Sequence, residues 1–367
     1  MLKVPIRAFP ETKGFCCALG WATTPSPARE RHPNIGRCFL NVNKLLNRWL
    51  PWPILKFLRQ CVPAENGCSE GVKTIFVAGM ARSGTTWVAE LINCENQRRL
   101  VFEPFTPRMV PEASCFRHIQ YLNPGSRNPV LVAQADQLLS GRMYNVWTDR
   151  ERTSAATSSL IIKDIRCNLM LGWFQALYPE MPMVLVMRHP LAVAASLLKL
   201  GWALPLRRGL TDFQVIISQP DLLADFPIIR DVLEKIDQND LFEQVVFEWA
   251  VFHLVPLSQC RKGKLFLIQY EALVLNPKRE LKKLFRFLRI PYEWDRLCPV
   301  VQKPSATNFL KRNIGADRDQ LLTGWKTDIS DRQVQRADEI LSLFGWEHLS
   351  KSEGHFCDAV LRRFGST

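Results

Sequence analysis

Four short runs of apolar residues stand out along this chain, each closed by glycine, charge or a polar residue. They are Thr74-Ile75-Phe76-Val77-Ala78, Leu160-Ile161-Ile162, Met183-Val184-Leu185-Val186-Met187 and Leu265-Phe266-Leu267-Ile268. A strand with one face in water alternates apolar and polar residues, whereas a strand covered on both faces stays apolar throughout. The runs therefore predict buried parallel strands. Segments with apolar residues at three- and four-residue spacing lie between and after them, and predict helices over 86–93, 191–200, 241–257 and 277–288. In residues 241–257, Phe242, Val245, Val246, Trp249, Phe252 and His253 share that spacing, which marks a core helix and places His253 in the core with it. Strands alternating with helices predict an α/β fold, a parallel sheet flanked by helices on both faces. Residues 201–239 break the pattern with Pro205, Pro220, Pro227 and mixed charge, and are expected to form a variable cap over a pocket.

With 367 residues at 47% hydrophobic, the chain can bury a large core. The pattern assigns that core to a single catalytic domain, residues 71–350, with a C-terminal tail over 351–367. Residues 1–70 lack periodicity and hold ten Lys/Arg against four Asp/Glu, so they read as a basic N-terminal extension. Within it, residues 39–58 combine basic charge with Leu45, Leu46, Trp49, Leu50 and Trp52, the composition of a helix lying on a membrane surface, although Pro51 and Pro53 interrupt it. Peripheral membrane contact and packing against the core both stay open there. No stretch reaches the roughly 20 apolar residues a spanning helix needs, so no transmembrane segment is expected. Lys3, Arg7, Glu11 and Lys13 argue against a secretory signal. The eleven cysteines are odd in number and lack C-x-x-C pairs, which suits reduced thiols in a cytoplasmic compartment and no zinc site. A net charge of +13 suits anionic partners without choosing among nucleotides, acidic glycans, nucleic acid or lipid.

The segment between the first strand and its helix narrows that choice. Gly79-Met80-Ala81-Arg82-Ser83-Gly84-Thr85-Thr86 has the strand–loop–helix setting in which backbone N–H groups cradle a phosphate. It follows G-x-x-x-x-G-K-[ST] except that Thr85 stands where the lysine reaching the β/γ-phosphates would be. Arg82 offers a cation from another point on the loop. The core is thus P-loop-like, built for a nucleotide whose reacting group is not a magnesium-bound γ-phosphate. A P-loop kinase using ATP is the competing enzyme reading, disfavoured by the missing lysine.

Arg82-Ser83-Gly84-Thr85-Thr86-Trp87 resembles the 5′-phosphosulfate loop of the sulfotransferases that use 3′-phosphoadenosine-5′-phosphosulfate (PAPS) and release adenosine 3′,5′-bisphosphate. That family carries an arginine at a strand end and a serine eight residues later for the 3′-phosphate, matched here by Arg188 and Ser196. A guanidinium and a hydroxyl suit a terminal phosphate that ATP does not possess. Tyr270-Glu271 resembles the family segment whose tyrosine lies near the adenine, and Trp87 offers a second aromatic face. Lys311, Arg312 and Gly315, followed by Trp325-Lys326, look like a split form of the segment that closes on the 3′-phosphate, and Ser305 and Thr307 resemble a serine-bearing segment of other subfamilies. The resemblance spans residues 73–350.

Sulfuryl transfer needs in-line attack, a base for the acceptor proton and cations for the charge on sulfuryl oxygens and leaving phosphate. Cytosolic members use histidine, but none of the six histidines stands in a comparable motif; His118 lies in a polar, loop-like stretch. Glu103 follows the loop helix as the base glutamate does in tyrosylprotein sulfotransferases, and its neighbours Phe102, Pro104 and Phe105 lead one to expect a raised pKa. Lys163, at the end of the second apolar run, corresponds to the family lysine near the bridging oxygen. The expected machinery is therefore Glu103 as base, Arg82 with Ser83, Gly84, Thr85 and Thr86 on the 5′-phosphosulfate, Lys163 assisting departure, and no metal. The acceptor is expected to be a carbohydrate, peptide or lipid hydroxyl, or an amine. Oligomeric state is not legible. A non-enzymatic protein binding membrane or nucleic acid through its basic residues is the remaining alternative; no aromatic–basic nucleic-acid motif supports it.

Overall fold

The computed structural model describes residues 73–143, 145–150, 159–201, 210–303 and 318–346. The predicted extension 1–70 with its 39–58 segment, the tail 351–367, and Ser305, Thr307, Lys311, Arg312 and Gly315 lie outside the described residues.

The fold is the expected α/β domain. Five parallel strands, β1 (Lys73–Gly79), β2 (Arg99–Phe102), β3 (Ser159–Asp164), β4 (Met183–Met187) and β5 (Leu265–Gln269), stand in the order β2-β3-β1-β4-β5. β1 pairs with β3 in the register Val77↔Lys163 and with β4 in the register Val77↔Val184. Successive side chains of β1 serve opposite faces: Phe76 and Ala78 join the core containing Trp173, Phe174 and Trp249, while Ile75 and Val77 join the one containing Trp87, Leu91 and Leu281. Two covered faces account for the unbroken apolar runs. Each large side chain so buried contributes about 1.5–3 kcal/mol.

Strand β2 escaped the apolar pattern because it is short and opens on a charge. Arg99 is nevertheless buried, since every direction its guanidinium faces is answered. Nε and Nη2 donate to the Asp149 carboxylate at 2.9 and 3.0 Å, Nη1 donates to Gly141 O at 2.5 Å, and Nη2 also donates to Met143 O.

The predicted helices are present as α1 (Thr85–Ile92), α2 (Pro190–Lys199), α3 (Leu241–Gln259) and α4 (Pro277–Leu288). In α3, Asp240 caps the N-terminus by accepting from Phe242 N and Glu243 N. His253 is fully buried with Nδ1 2.6 Å from Trp249 O, and burial pushes its imidazole down to about 4, so it is a core residue as the pattern implied. The expected cap contributes three short helices, Asp212–Ile217, Pro220–Asp225 and Pro227–Leu233, and Asp212 from the first of them reaches the cleft described below. Among the described residues no helix is long and apolar enough to cross a membrane.

Candidate functional site

The chain order along the sheet reverses at β1, with β3 and β2 on one side and β4 and β5 on the other. In open α/β sheets the crevice beyond the carboxyl ends of the strands at such a point is the ligand site. A cleft of about 690 Å³ lies there. Into it converge the loop after β1, the ends of β2, β3 and β4, the start of the helix after β5, and the segment around Trp325.

One half of the cleft is built for an anion. The loop makes its turn with Arg82 and Gly84 both at positive φ, 70° and 93°. Glycine is required at the second position, where a Cβ would come within 2.7 Å of the Tyr270 ring. Arg82 Nε donates to Ser196 Oγ at 3.0 Å, and Arg188 Nη1 donates to the Arg82 carbonyl at 3.0 Å. The Arg188 guanidinium also lies 4.6 Å from the centre of the Tyr270 ring and donates to Leu321 O at 3.2 Å. Tyr270 in turn meets Trp87 edge-on at 5.7 Å. Burial, and then the neighbouring Arg188 charge, lower the Arg82 guanidinium from its ordinary value.

Three buried donors in and beside this half, Ser83 Oγ, Trp87 Nε1 and Arg188 Nε, have no hydrogen-bond partner among the described residues. A buried donor left unpaired costs about 1–3 kcal/mol, so the arrangement fits a ligand that brings acceptors. Two guanidiniums, a hydroxyl and two aromatic faces suit a phosphorylated aromatic nucleotide. Trp325 borders this half and stacks on His189 with ring centres 4.8 Å apart and planes at 15°.

The other half centres on Glu103, which is 4% exposed. Its backbone is held in the left-handed region, φ 44°, by hydrogen bonds on both sides: its N–H donates to Lys163 O at 2.7 Å, and Trp147 Nε1 donates to its carbonyl at 3.2 Å. Lys163 Nζ donates to Glu103 Oε1 at 2.6 Å and Arg166 Nη1 donates to Oε2 at 2.5 Å. Here the structure corrects an expectation. Burial does push the Glu103 carboxyl up, as its apolar neighbours suggested, but the Lys163 and Arg166 charges outweigh it and hold the carboxyl below its ordinary value. Lys163 itself lies against the Phe102 ring, 4.3 Å from its centre.

The structure thus gathers Arg82, Thr85, Thr86, Trp87, Arg188 and Ser196 with Tyr270, Glu103 and Lys163 around one cleft, as the motifs implied. Several lining residues were not anticipated. Arg166 is one; its signal was its place three residues after Lys163, on the far side of a strand end. Asp164, fully buried, accepts from Phe105 N and Arg166 N, both at 2.9 Å, and so ties the two sides of the Glu103 pocket together. His118, set aside as a loop residue, lines the cleft with Nε2 2.8 Å from Asp212 Oδ1. Glu248 lines it from the apolar helix α3, where a lone carboxylate among core residues was the available clue; burial, then the Asp212 charge, raise its carboxyl well above its ordinary value.

Comparison with known proteins gives a consistent family. The sulfotransferase-domain family model matches residues 73–351. Nodulation protein NoeE of Sinorhizobium fredii is 24% identical over 285 residues, covering 72% of this chain; the chain spans 63% of that relative's length. Among solved structures, a sulfotransferase domain from the curacin biosynthetic pathway is 20% identical and covers 75% of this chain and 99% of its own, with a TM-score of 0.43. Mouse sulfotransferase SULT7A1, complexed with PAP, is 15% identical and covers 80% and 89%, with a TM-score of 0.39.

Proposed function

We propose, on the premise that this chain belongs to the sulfotransferase family, that it transfers a sulfuryl group from PAPS to an acceptor hydroxyl. The observation that carries the reading is the convergence on Arg82 of Arg188 and Ser196, from 106 and 114 residues away, beside buried donors that no group among the described residues satisfies. When bound, PAPS supplies a sulfuryl group already joined to a phosphate leaving group. Arg82 and the backbone N–H groups of Ser83, Gly84, Thr85 and Thr86 hold the 5′-phosphosulfate. Arg188 and Ser196 take the 3′-phosphate, and Trp87 and Tyr270 offer aromatic surface on one side of the adenine. Glu103 accepts the proton of the acceptor oxygen, Lys163 places its charge against the departing phosphate, and the buried pocket around both excludes water.

The ATP-kinase reading is weaker at a definite place: Thr85 provides no cation where a γ-phosphate would need one. The acceptor half combines Phe102, Trp147 and Phe252 with the polar Glu103, His118 and Asp212, a surface for an acceptor bearing both hydroxyls and apolar area, which supports a carbohydrate, peptide or lipid hydroxyl. Incubation with sulfur-labelled PAPS and separate pools of glycans, peptides and lipids tests the reading. Label is expected in one pool. Failure in every pool, together with phosphate transfer from γ-labelled ATP, would replace the sulfotransferase by a kinase.

A further inference from the structure

Glu103 has more counter-charge than a base can use. Both carboxylate oxygens accept from a cation, and in that state the group is an acceptor already saturated by protons it cannot take. Lys163 has a second call on its charge under the function proposed above, and the inference rests on that reading. We propose that Lys163 is a shared counter-ion, paired with Glu103 while the cleft lacks donor and transferred to the 5′-phosphosulfate when donor binds, leaving Arg166 as the resident partner of Glu103.

Four observations favour Lys163 as the cation that moves and Arg166 as the one that stays. Among the described residues Lys163 makes one hydrogen bond through its side chain, on a flexible stem that carries a compact point charge. Burial outweighs Glu103 and pulls the Lys163 ammonium below its ordinary value, so one carboxylate does not fully offset its desolvation. Arg166 is bound more widely: its guanidinium also reaches Thr106 Oγ1 at 3.4 Å, its backbone N–H is pinned by Asp164, and the Glu103 and Asp164 charges overcome burial to raise its value. Lys163 also stands in register beside Val77 of β1, the strand that runs into the phosphate loop, and lines the same cleft as Arg82.

The consequence is that donor binding arms the base. With Lys163 withdrawn, one of the two charges that depress the Glu103 carboxyl is gone, and the carboxylate regains proton affinity only when a sulfuryl group is in place to be attacked. Among the described residues, the other titratable groups around this pocket are Asp164 on β3, Asp212 at the start of its short helix with His118 paired to it, Glu248 on α3, and Arg150 stacked on Phe102 at 4.2 Å.

The test reads Glu103 directly and needs no turnover. The protein is labelled with carbon-13 at glutamate side-chain carboxyls, the Glu103 signal is identified by its loss in Glu103→Gln, and its titration is followed with and without saturating adenosine 3′,5′-bisphosphate. The midpoint is expected to move upward with ligand. Because an added anion alone also raises a nearby carboxyl, the same titration is made in Lys163→Met, where the ligand-free midpoint should already be higher and the ligand-induced shift smaller than in the native chain. An unmoved or lowered midpoint in the native protein overturns the proposal, and so do equal ligand-induced shifts in the two proteins. If Lys163→Met does not fold, Lys163→Arg takes its place in the comparison, and its ligand-induced shift should fall short of the native one; equal shifts there overturn the proposal as well. Failure of the nucleotide to bind at all would strike the function proposed above, and calorimetry on the same sample separates that result from the others.

Discussion

Replacing Glu103 by Gln preserves the shape of the side chain and leaves one acceptor oxygen where the structure uses two. In the native pocket Oε1 takes Lys163 Nζ and Oε2 takes Arg166 Nη1. A carboxamide satisfies one of these cations and turns an N–H toward the other. Losing one partner of a buried ion pair costs about 3–5 kcal/mol, and Arg166, whose side chain is 22% exposed, can recover part of that in water, so about 3 kcal/mol is expected. For a domain of this size that is a fall in Tm of about 5 °C. Turnover should fall much further, by about 10²–10⁴-fold, because the amide cannot accept a proton. Donor affinity should not weaken, since Lys163 no longer has to leave a carboxylate. The assay is initial rate with sulfur-labelled PAPS, well below the variant's Tm, with folding checked by circular dichroism. His118→Ala is the companion, expected to stay within a few-fold of native turnover because His118 is assigned no proton to carry. Native-like turnover in folded Glu103→Gln beside an inactive His118→Ala would refute the assignment and move the base to the His118–Asp212 pair.

Two further substitutions probe other parts of the account. Gly84→Ala sets a Cβ 2.7 Å from the Tyr270 ring at φ 93°, so nucleotide affinity should fall at least tenfold and stability by about 1–3 kcal/mol, read by calorimetry and thermal melting. Glu248 has a carboxyl raised by burial above the usual 4.5, so its protonated form favours folding; the associated stability is present below that value and lost as pH rises toward the folded-state one. Glu248→Gln should therefore match the native melting temperature near pH 4 and exceed it at pH 7, and a variant less stable than native at pH 7 would show that the ionised carboxylate is used.

The sheet was legible where its strands are covered on both faces, because Ile75 to Ala78 and Met183 to Met187 then have no polar side to interrupt them. β2 was not, because Arg99 is buried by partners on a distant segment, Asp149, Gly141 and Met143, that no local pattern announces. The nucleotide half was legible for a related reason: Arg82 to Trp87, Arg188 with Ser196, and Tyr270 each sit directly after a strand, so the parallel topology alone brings them to one edge. The Glu103 pocket was half legible. Its residue was found from its place after the loop helix, but the sign of its pKa shift depends on Lys163 and Arg166, 60 and 63 residues away, and sequence neighbours Phe102 and Phe105 pointed the other way. Asp212 and Glu248 reach the cleft from a cap helix and a core helix by tertiary packing, which no motif encodes.

The central claim is that the cleft recognises a 3′-phosphorylated adenine nucleotide, and Arg188 is where that claim is most exposed. Calorimetric titration of the native chain and Arg188→Ala with adenosine 3′,5′-bisphosphate and with ADP tests it most directly. The account predicts strong binding of the bisphosphate, weak binding of ADP, and a loss of about 1.5–3 kcal/mol, or about 10- to 150-fold, on substitution for the bisphosphate alone. Equal losses for both nucleotides, or native binding that favours ADP, would contradict it.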